Sequence, residues 1–455
     1  MMKKMKFFNL TFLVLSLFLV LASCSSDNSF VNDDNVSIGD DETDFGDFIP
    51  ISGEISGTLG PNEDYIVTDD LFVLEGESLT VLEGTNIIVN GNGRPGRSPE
   101  INVAGSFYSY GTEDAPVYIG VKEEDRTEAN IFRGLWGGII GTETAVDFVL
   151  EYTTIEFAGA PAEPGSSIVA EGELDEGEPR YAVYWVNPEG NFIMWHSRIA
   201  YTKDDAIRNN GAKTLIAYSE FAFNGETGGE SMNAKSGVVG DFCYNVFYSI
   251  ATNGLKVANS KGRQPQANNN YYNNTVVNSG WRRSQSGRGG SLNFENGARG
   301  MSFNNLVADS RYGLRLFPPD DEPDMTNMSW GNHFYFGSDQ EIVEGFHPVN
   351  GIIGQNIPGY EDIVIPDTDV YGGVGENDPL FVGYEVGNFS PTDFRQLNDV
   401  RFVTDLFEMF KLQPSSPALT GGTTDFSPIF SEYVVNGKTY VTPLPSEFFG
   451  ALGAN

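Results

Sequence analysis

A short phrase that recurs five times in the middle of the chain constrains the fold more than any other feature. Each copy begins with Ser or Asn, and the first residues of successive copies are 22, 26, 29 and 31 positions apart. Each copy is followed 8 to 17 residues later by a second short apolar segment. The copies are Ser197-Arg198-Ile199, Ser219-Glu220-Phe221, Asn245-Val246-Phe247, Asn274-Thr275-Val276 and Asn305-Leu306-Val307.

This period is typical of one coil of a parallel β-helix, in which about three short strands alternate with turns. A single coil cannot bury its own apolar face, so the copies must stack to form a continuous core. Asn residues at matched turn positions are expected to form side-chain ladders and to tolerate left-handed backbone. A β-sandwich instead requires tight hairpins at a spacing of about 8 to 12 residues, and few are visible.

The sequence therefore predicts an all-β fold, a right-handed parallel β-helix (a solenoid) over residues 49–367. Two segments rich in Pro and acidic residues, near 160–180 and 318–367, predict loop insertions. Residues 368–455 lose the period, and we expect them to form the C-terminal end or cap of the β-helix.

The N-terminus combines three lysines with a short apolar run that ends at Leu21-Ala22-Ser23-Cys24. Such a run is too short to span a bilayer and is typical of a secretory signal. The four residues look like a lipobox, and acylation of its cysteine gives stable membrane attachment. We predict a lipoprotein signal peptide over 1–23, lipid attachment at Cys24, and a flexible acidic tether over 24–48. The alternatives are a soluble secreted protein and a spacer that faces the periplasm.

Nine short motifs occur in a fixed order along the chain: LTVLEGT, GTEDAPVYI, WGGII, YTTIEFAG, KDDAI, NNTVVN, NDPLF, SPALTGG and FFGALG. Together, over residues 65–455, they resemble the right-handed parallel β-helix lipoproteins of Bacteroidetes outer membranes. The acidic tract behind Cys24 likewise resembles the surface-export signals of Bacteroidetes lipoproteins. The resemblance implies the fold and a lipid-anchored location at the outer membrane, exposed on the cell surface. It implies much less about activity.

Charge is distributed unevenly. The chain carries a net charge of -36, which disfavours nucleic acid as a partner. From Lys203 to Arg315, however, 13 Lys and Arg face 8 Asp and Glu. If the second segments stack in register, their outward residues form one file about 20 Å long. This file would suit an extended acidic polysaccharide, with arginine clamping its anionic groups; alternatively, its cations are paired with neighbouring acids. The predicted file is Arg208, Asn233, Lys256, Asn293 and Arg315.

Weaker patterns point to catalysis on an acidic polysaccharide. A glycoside hydrolase needs two carboxyl groups, and Asp204-Asp205 supply one such pair, although a turn-stabilising role explains the doublet as well. A polysaccharide lyase needs a base and a cation, for which Lys235 and Arg208 are the candidates. Of the two enzyme classes, the sequence favours the lyase.

The sequence predicts no cofactor and no metal site built on its three histidines. The acidic run Asp320, Asp321, Glu322 and Asp324 has the hard oxygen ligands that Ca²⁺ prefers, but an exposed loop without metal explains it equally. We therefore predict a surface lipoprotein that binds an acidic glycan or an outer-membrane barrel partner. The alternatives are a lyase or glycoside hydrolase, and an adhesin-like structural spacer.

Overall fold

The computed structural model of the chain describes residues 45–285, 288–316, 321–347, 365–387 and 389–454. The described residues are mostly β-strand, and their strands form long parallel sheets that wind as a solenoid. The predicted all-β, β-helix-like fold is thus confirmed. The predicted signal peptide, the predicted acylation site Cys24 and Asp320 lie outside the described residues.

Three strands from each coil fall into three vertical stacks. The first stack is a parallel sheet of ten strands. Its strands are β2 (Gly57–Leu59), β4 (Ser78–Leu82), β7 (Ser106–Tyr110), β10 (Asp147–Glu151), β13 (Asn191–Trp195), β16 (Ala212–Ala217), β19 (Val238–Cys243), β22 (Asn268–Tyr272), β25 (Arg299–Phe303) and β28 (Met328–Gly331).

The second and third stacks share their first two strands, β1 (Ile49–Glu54) and β3 (Asp64–Val73), and then separate. The second stack continues with β5 (Asn86–Val89), β8 (Val117–Gly120), β11 (Thr153–Glu156), β14 (Arg198–Ala200), β17 (Glu220–Ala222), β20 (Val246–Tyr248), β23 (Thr275–Val277), β26 (Leu306–Ala308) and β29 (Phe334–Phe336). The third continues with β6 (Glu100–Val103), β9 (Gly138–Gly141), β12 (Val183–Trp185), β15 (Ile207–Asn209), β18 (Met232–Ala234), β21 (Leu255–Ala258), β24 (Leu292–Glu295) and β27 (Leu314–Leu316).

Helices are short and lie outside the stacks. The α-helices are α1 (Ser167–Ala170), α2 (Gln340–Gly345), α3 (Pro391–Arg395) and α4 (Leu406–Met409). Single 3₁₀ turns span Glu123–Asp125, Glu128–Asn130, Met325–Asn327 and Pro417–Leu419. An antiparallel hairpin, β30 (Glu432–Val435) with β31 (Lys438–Val441), follows them.

The recurring phrases form the corner between the first and second stacks, and their leading residues form a buried ladder. The Asn274 side-chain oxygen accepts hydrogen bonds from the backbone and side-chain N–H groups of Asn245, both at 3.1 Å. The Asn305 oxygen accepts the same pair from Asn274, both at 3.0 Å. The ladder predicted from the sequence is confirmed. The left-handed conformation falls one residue earlier, for example at Tyr244 with φ 57° and Asn273 with φ 50°.

The segment 318–367 was predicted to be a loop, but its described part contains β28 and β29, which extend the first two stacks by one coil. The register pairs Leu306 with Phe334, so His333 occupies the place that Asn305 has in the preceding coil. This coil was not recognised in the sequence because the copy of the recurring phrase at residues 333–335 begins with His and not with Ser or Asn.

The C-terminal region packs along the sides of the solenoid. The Val403 carbonyl accepts hydrogen bonds from Arg198 at 2.7 Å and from the Tyr201 hydroxyl at 3.0 Å, which places this segment beside the second stack. Later, the Tyr433 hydroxyl donates to the carbonyl of Thr214 at 2.7 Å, which places the β30–β31 hairpin against the first stack. These segments cover outward faces that a solenoid otherwise leaves to solvent.

Replacing Asn274 with alanine tests the ladder. The variant leaves the Asn245 N–H and the Phe242 carbonyl, which accepts from Asn274 at 2.9 Å, without their partners. Because both groups are buried, we expect a loss of about 2 to 4 kcal/mol in the free energy of unfolding, measured in urea. The exposed Asn398→Ala is the control and should change stability by less than about 0.5 kcal/mol. Equal effects of the two substitutions would contradict the ladder's role.

Asp241 predicts a pH dependence of stability. Burial raises its pKa to about 7, although the backbone N–H groups of Ile429 and Phe430 bind its carboxylate. The folded pKa lies above the unfolded value, so the stabilisation is present at low pH and is lost as the pH rises through about 7. From pH 5 to pH 8.5 we expect the wild type to lose about 2 to 3 kcal/mol more than Asp241→Asn, measured by urea unfolding at both values. Parallel pH profiles for the two proteins would refute this assignment.

Candidate functional site

A polar cleft of about 450 Å³ lies over the third stack, between the coils of β15 and β27. Six cationic side chains and five carboxyl groups line it. This size is within the range of ordinary ligand pockets, but the lining is far more polar than is usual for a small apolar ligand. The cleft is therefore suited to a charged or heavily hydroxylated molecule.

The floor of the cleft contains the file predicted from the sequence. The register pairs Arg208 with Asn233, Asn233 with Lys256, Lys256 with Asn293, and Asn293 with Arg315. Their strand neighbours, such as Ile207 and Met232, belong to the core, so the file faces outward. Five residues separated by up to 107 positions in sequence thus lie in one line.

Two cations of the file, Arg208 and Lys256, form ion pairs with carboxylates, so the file is not an open cationic strip. The Arg208 Nε lies 3.2 Å from a carboxylate oxygen of Glu173, and the Lys256 ammonium lies 2.9 Å from Glu295. Glu230 is 3.7 Å from the Lys256 ammonium on its other side. Buried charges are tolerated only when they are paired, and these carboxylates supply the pairing.

A second column runs beside the file, at the turn position three residues before each member, and its first three residues are polar: Asp205, Glu230 and Asn253. In it, the Asp205 carboxylate accepts the backbone N–H of Glu230 at 2.7 Å, and also the Asn233 side chain at 3.0 Å. Asn253 donates to Glu230 at 3.3 Å. Glu173, Glu230 and Glu295 were not among the predicted site residues, but the constant offset of three was a signal for Glu230.

The carboxyl groups of this column have perturbed pKa values. Burial, reinforced by the charge of Glu230, raises the pKa of Asp205 well above its usual value. Burial also disfavours ionised Glu230, but Lys256 and the hydrogen bond with Asp205 outweigh it and lower the Glu230 pKa. The pKa values of the two carboxyl groups are thus shifted in opposite directions, upward for Asp205 and downward for Glu230. Burial raises the pKa of the neighbouring Asp204 to about 6.

Lys235 lies in a third column, two residues beyond Asn233. Only 7% of the residue is exposed, and its ammonium makes no ion pair or hydrogen bond with the part of the chain that the structure describes. Burial and the charges of Arg208 and Lys256 lower the Lys235 pKa to about 7. A buried amine that lines the cleft without a protein partner is available to a ligand.

Several hydrogen-bond acceptors in the cleft also lack partners among the described residues. They are the side-chain oxygens of Asn233, Thr252, Asn253 and Asn293. An amide oxygen buried without a donor is unfavourable, and ligand hydroxyl groups are suitable donors. Together with Lys235, these oxygens define a surface for a ligand that has both anionic groups and hydroxyls.

Two walls of the cleft are insertions at the same corner of the coil, between the second and third stacks. One wall is the 160–180 loop, between β11 and β12, which contributes Glu173. The other comes from the turn between β23 and β24, which contributes Arg283 and Arg288. Buried Arg282 fixes this second wall by donating to the carbonyls of Gly225 at 2.8 Å and Ser249 at 2.9 Å.

The remaining candidates lie elsewhere. Asp321 binds the Asn296 side chain at 2.9 Å, away from the cleft. His196 lies on the outer corner between two tyrosines, and Cys243 is buried. The described ranges contain no group of three or more His, Cys, Asp or Glu residues that is arranged to hold a metal ion. None of their helices is long and apolar enough to cross a bilayer.

Comparisons with family models, with curated proteins and with solved structures gave no match. The polar cleft on the third stack combines the amine of Lys235, two carboxyl groups whose pKa values are shifted in opposite directions, and several amide oxygens without a hydrogen-bond partner among the described residues.

Proposed function

We propose that this protein binds an acidic glycan in the cleft over the third stack. The observation that carries the proposal is Lys235, a largely buried lysine that lines the cleft and whose ammonium makes no ion pair or hydrogen bond with the described residues. A carboxylate or sulfate group of the ligand would pair with this ammonium. The sugar hydroxyls would hydrogen-bond to the asparagine side chains that line the cleft, Asn233, Asn253 and Asn293.

The arrangement of charges supports an anionic ligand. In the file, Arg208 and Lys256 are already paired with Glu173 and Glu295. Lys235 forms no ion pair with the described residues, so an anionic ligand group would stabilise its charge more than it would stabilise the charges of those two side chains. Binding an anion there would also raise the pKa of Lys235, because a nearby negative charge favours the protonated form of the amine. A neutral sugar could contact the asparagines that line the cleft but would bring no negative charge to this ammonium.

We further propose that the protein is a right-handed β-helix lipoprotein of the outer membrane, exposed at the cell surface. Parallel strand connections are right-handed in nearly all proteins, which supports the handedness. The N-terminal sequence supports acylation of Cys24, and two or more acyl chains give stable anchoring. The acidic segment 24–48 would then hold the cleft away from the bilayer, within reach of glycans or of an outer-membrane barrel partner.

Catalysis is a second candidate function, and the pKa values of the cleft favour it. Asp204 and Lys235, with pKa values of about 6 and about 7, both line the cleft and can exchange protons near neutral pH. In a lyase, the neutral amine would accept the proton alpha to the substrate carboxylate while the carbon–oxygen bond beta to it breaks. A carboxyl group such as that of Asp205 would return a proton to the leaving oxygen. A glycoside hydrolase would use the carboxyl groups alone.

Lys235→Met tests the binding function. We expect the purified protein to bind alginate, pectate or a sulfated glycan, and the variant to lose about 2 kcal/mol, or about 30-fold in Kd, measured by calorimetry. Lys213→Met, which changes an exposed lysine on β16, is the matched control and should bind as the wild type does. Undiminished binding by Lys235→Met would refute the site.

The same mixtures separate the alternatives. New ultraviolet absorbance from unsaturated uronate ends, lost in Lys235→Met, indicates a lyase, and new reducing ends without it indicate a glycoside hydrolase. If no glycan is bound or cleaved, the adhesin-like spacer or the barrel-partner function replaces the glycan proposal.

Cys24→Ala tests the anchor. We expect cells given a radioactive fatty acid to label the wild-type protein and not the variant, and the variant to leave the membrane fraction. A labelled variant, or an unlabelled wild type, would overturn the assignment of Cys24 as the acylated residue.

A further inference from the structure

The outward file of the third stack continues below the cleft, but there it is covered. The register extends the file from Arg208 down to Tyr184, Ile140, Asn102 and Phe72. Phe72 is 40% exposed, whereas Asn102, Ile140 and Tyr184 are 5%, 0% and 1% exposed. The outward side chains of three successive coils below the cleft, Asn102, Ile140 and Tyr184, are thus buried. The next outward side chain, Phe72, is exposed again.

The 160–180 loop covers these three buried side chains. Its Ile168 packs in one apolar cluster with Ile140 and Tyr184. Its Ser167 hydroxyl lies 2.6 Å from the side-chain oxygen of Asn102, to which it donates. The loop is secured at its end by the buried ion pair of Arg180 with Glu100. It is therefore a packed part of the fold.

Where the loop meets the cleft, it closes one end with ion pairs. Glu173 reaches Arg208 at 3.2 Å and Lys261 at 2.9 Å, and accepts the Asn210 side chain at 2.9 Å. The Tyr181 hydroxyl accepts a hydrogen bond from Arg208 at 2.9 Å on the same side. The end of the cleft is thus a wall of ion-paired groups, in which the Glu173 side chain is largely buried.

From this closed end we infer that the cleft binds a terminus of an acidic glycan chain and not an internal segment. The inference rests on the proposed glycan-binding function. An internal segment leaves a cleft at both ends, and at this end it would have to displace the loop. Displacement would break the Glu173 ion pairs and expose Ile140, and breaking buried pairs is strongly unfavourable.

The negative charge of this end wall also disfavours the binding of an internal glycan segment. Glu173 and Glu178 both line the cleft at this end. A polyanion that continued past Arg208 would bring its next anionic group against these carboxylates. A chain that ends at Arg208 avoids this repulsion and still reaches Asn233, Lys235 and Lys256.

The number of protein molecules bound per glycan chain tests the inference. The full-length protein is titrated with a size-defined acidic polymer many times longer than the cleft, and with short oligosaccharides of the same sugar. We expect one protein per polymer chain at saturation, whatever the chain length, and equal Kd values per chain end for polymer and oligosaccharide. Chemically blocking one of the two chain termini should abolish binding, and this arm identifies which terminus is recognised.

Lys235→Met separates the failure of this inference from the failure of glycan binding itself. Several proteins per chain, with binding lost in Lys235→Met, overturns terminus recognition and leaves the proposed function standing. Absence of binding to polymer and oligosaccharide alike overturns the proposed function. Binding that persists in Lys235→Met lies outside the cleft and overturns both. One protein per chain, lost in Lys235→Met and retained in Lys213→Met, supports both.

Discussion

The ladder of Asn side chains on one corner of the coil is the interaction on which the rest of the structure depends. Each rung satisfies a backbone N–H of the coil before it, so Asn245, Asn274 and Asn305 fix both the spacing and the register of successive coils. A slip of one residue would reverse the inward and outward faces of every strand in the coil. With the register fixed, residues 22 to 31 positions apart become neighbours.

The cleft follows from that register and from the unequal lengths of the coils. The strands of the solenoid keep their positions, so additional residues are accommodated in the turns. Two long turns at one corner, between the second and third stacks, form two walls of the cleft. The file between them is deep enough to bury charges. This burial explains why Arg208 and Lys256 form ion pairs with carboxylates. Lys235 forms no ion pair with the described residues and interacts with Glu230 and Glu295 only at longer range, so its ammonium is available to a ligand.

Much of this could be predicted from the sequence, because a solenoid converts linear period into spatial neighbourhood. The all-β class, the stacked coils, the Asn ladder and the alignment of Arg208 with Arg315 all follow from the recurring phrase. The coil containing β28 and β29 was missed because His333 stands where the other coils have Asn or Ser. For Arg208 and Lys256 the structure shows the alternative drawn from the sequence, in which the cations are paired with neighbouring acids. Glu295 lies on the same strand as Asn293 of the file, whereas Glu173 comes from an insertion loop outside the repeat.

The sequence by itself determined the repeat, the polarity of the file and the separation of basic from acidic segments, because these are set by local alternation and period. Only the tertiary structure decided which charges are neutralised and where the file is open. Glu173 meets Arg208 because the 160–180 loop folds back over three coils, and no local pattern encodes the path of a loop across a sheet. The depth that shifts the pKa of Lys235 likewise arises from packing, since desolvation depends on every group that surrounds the amine.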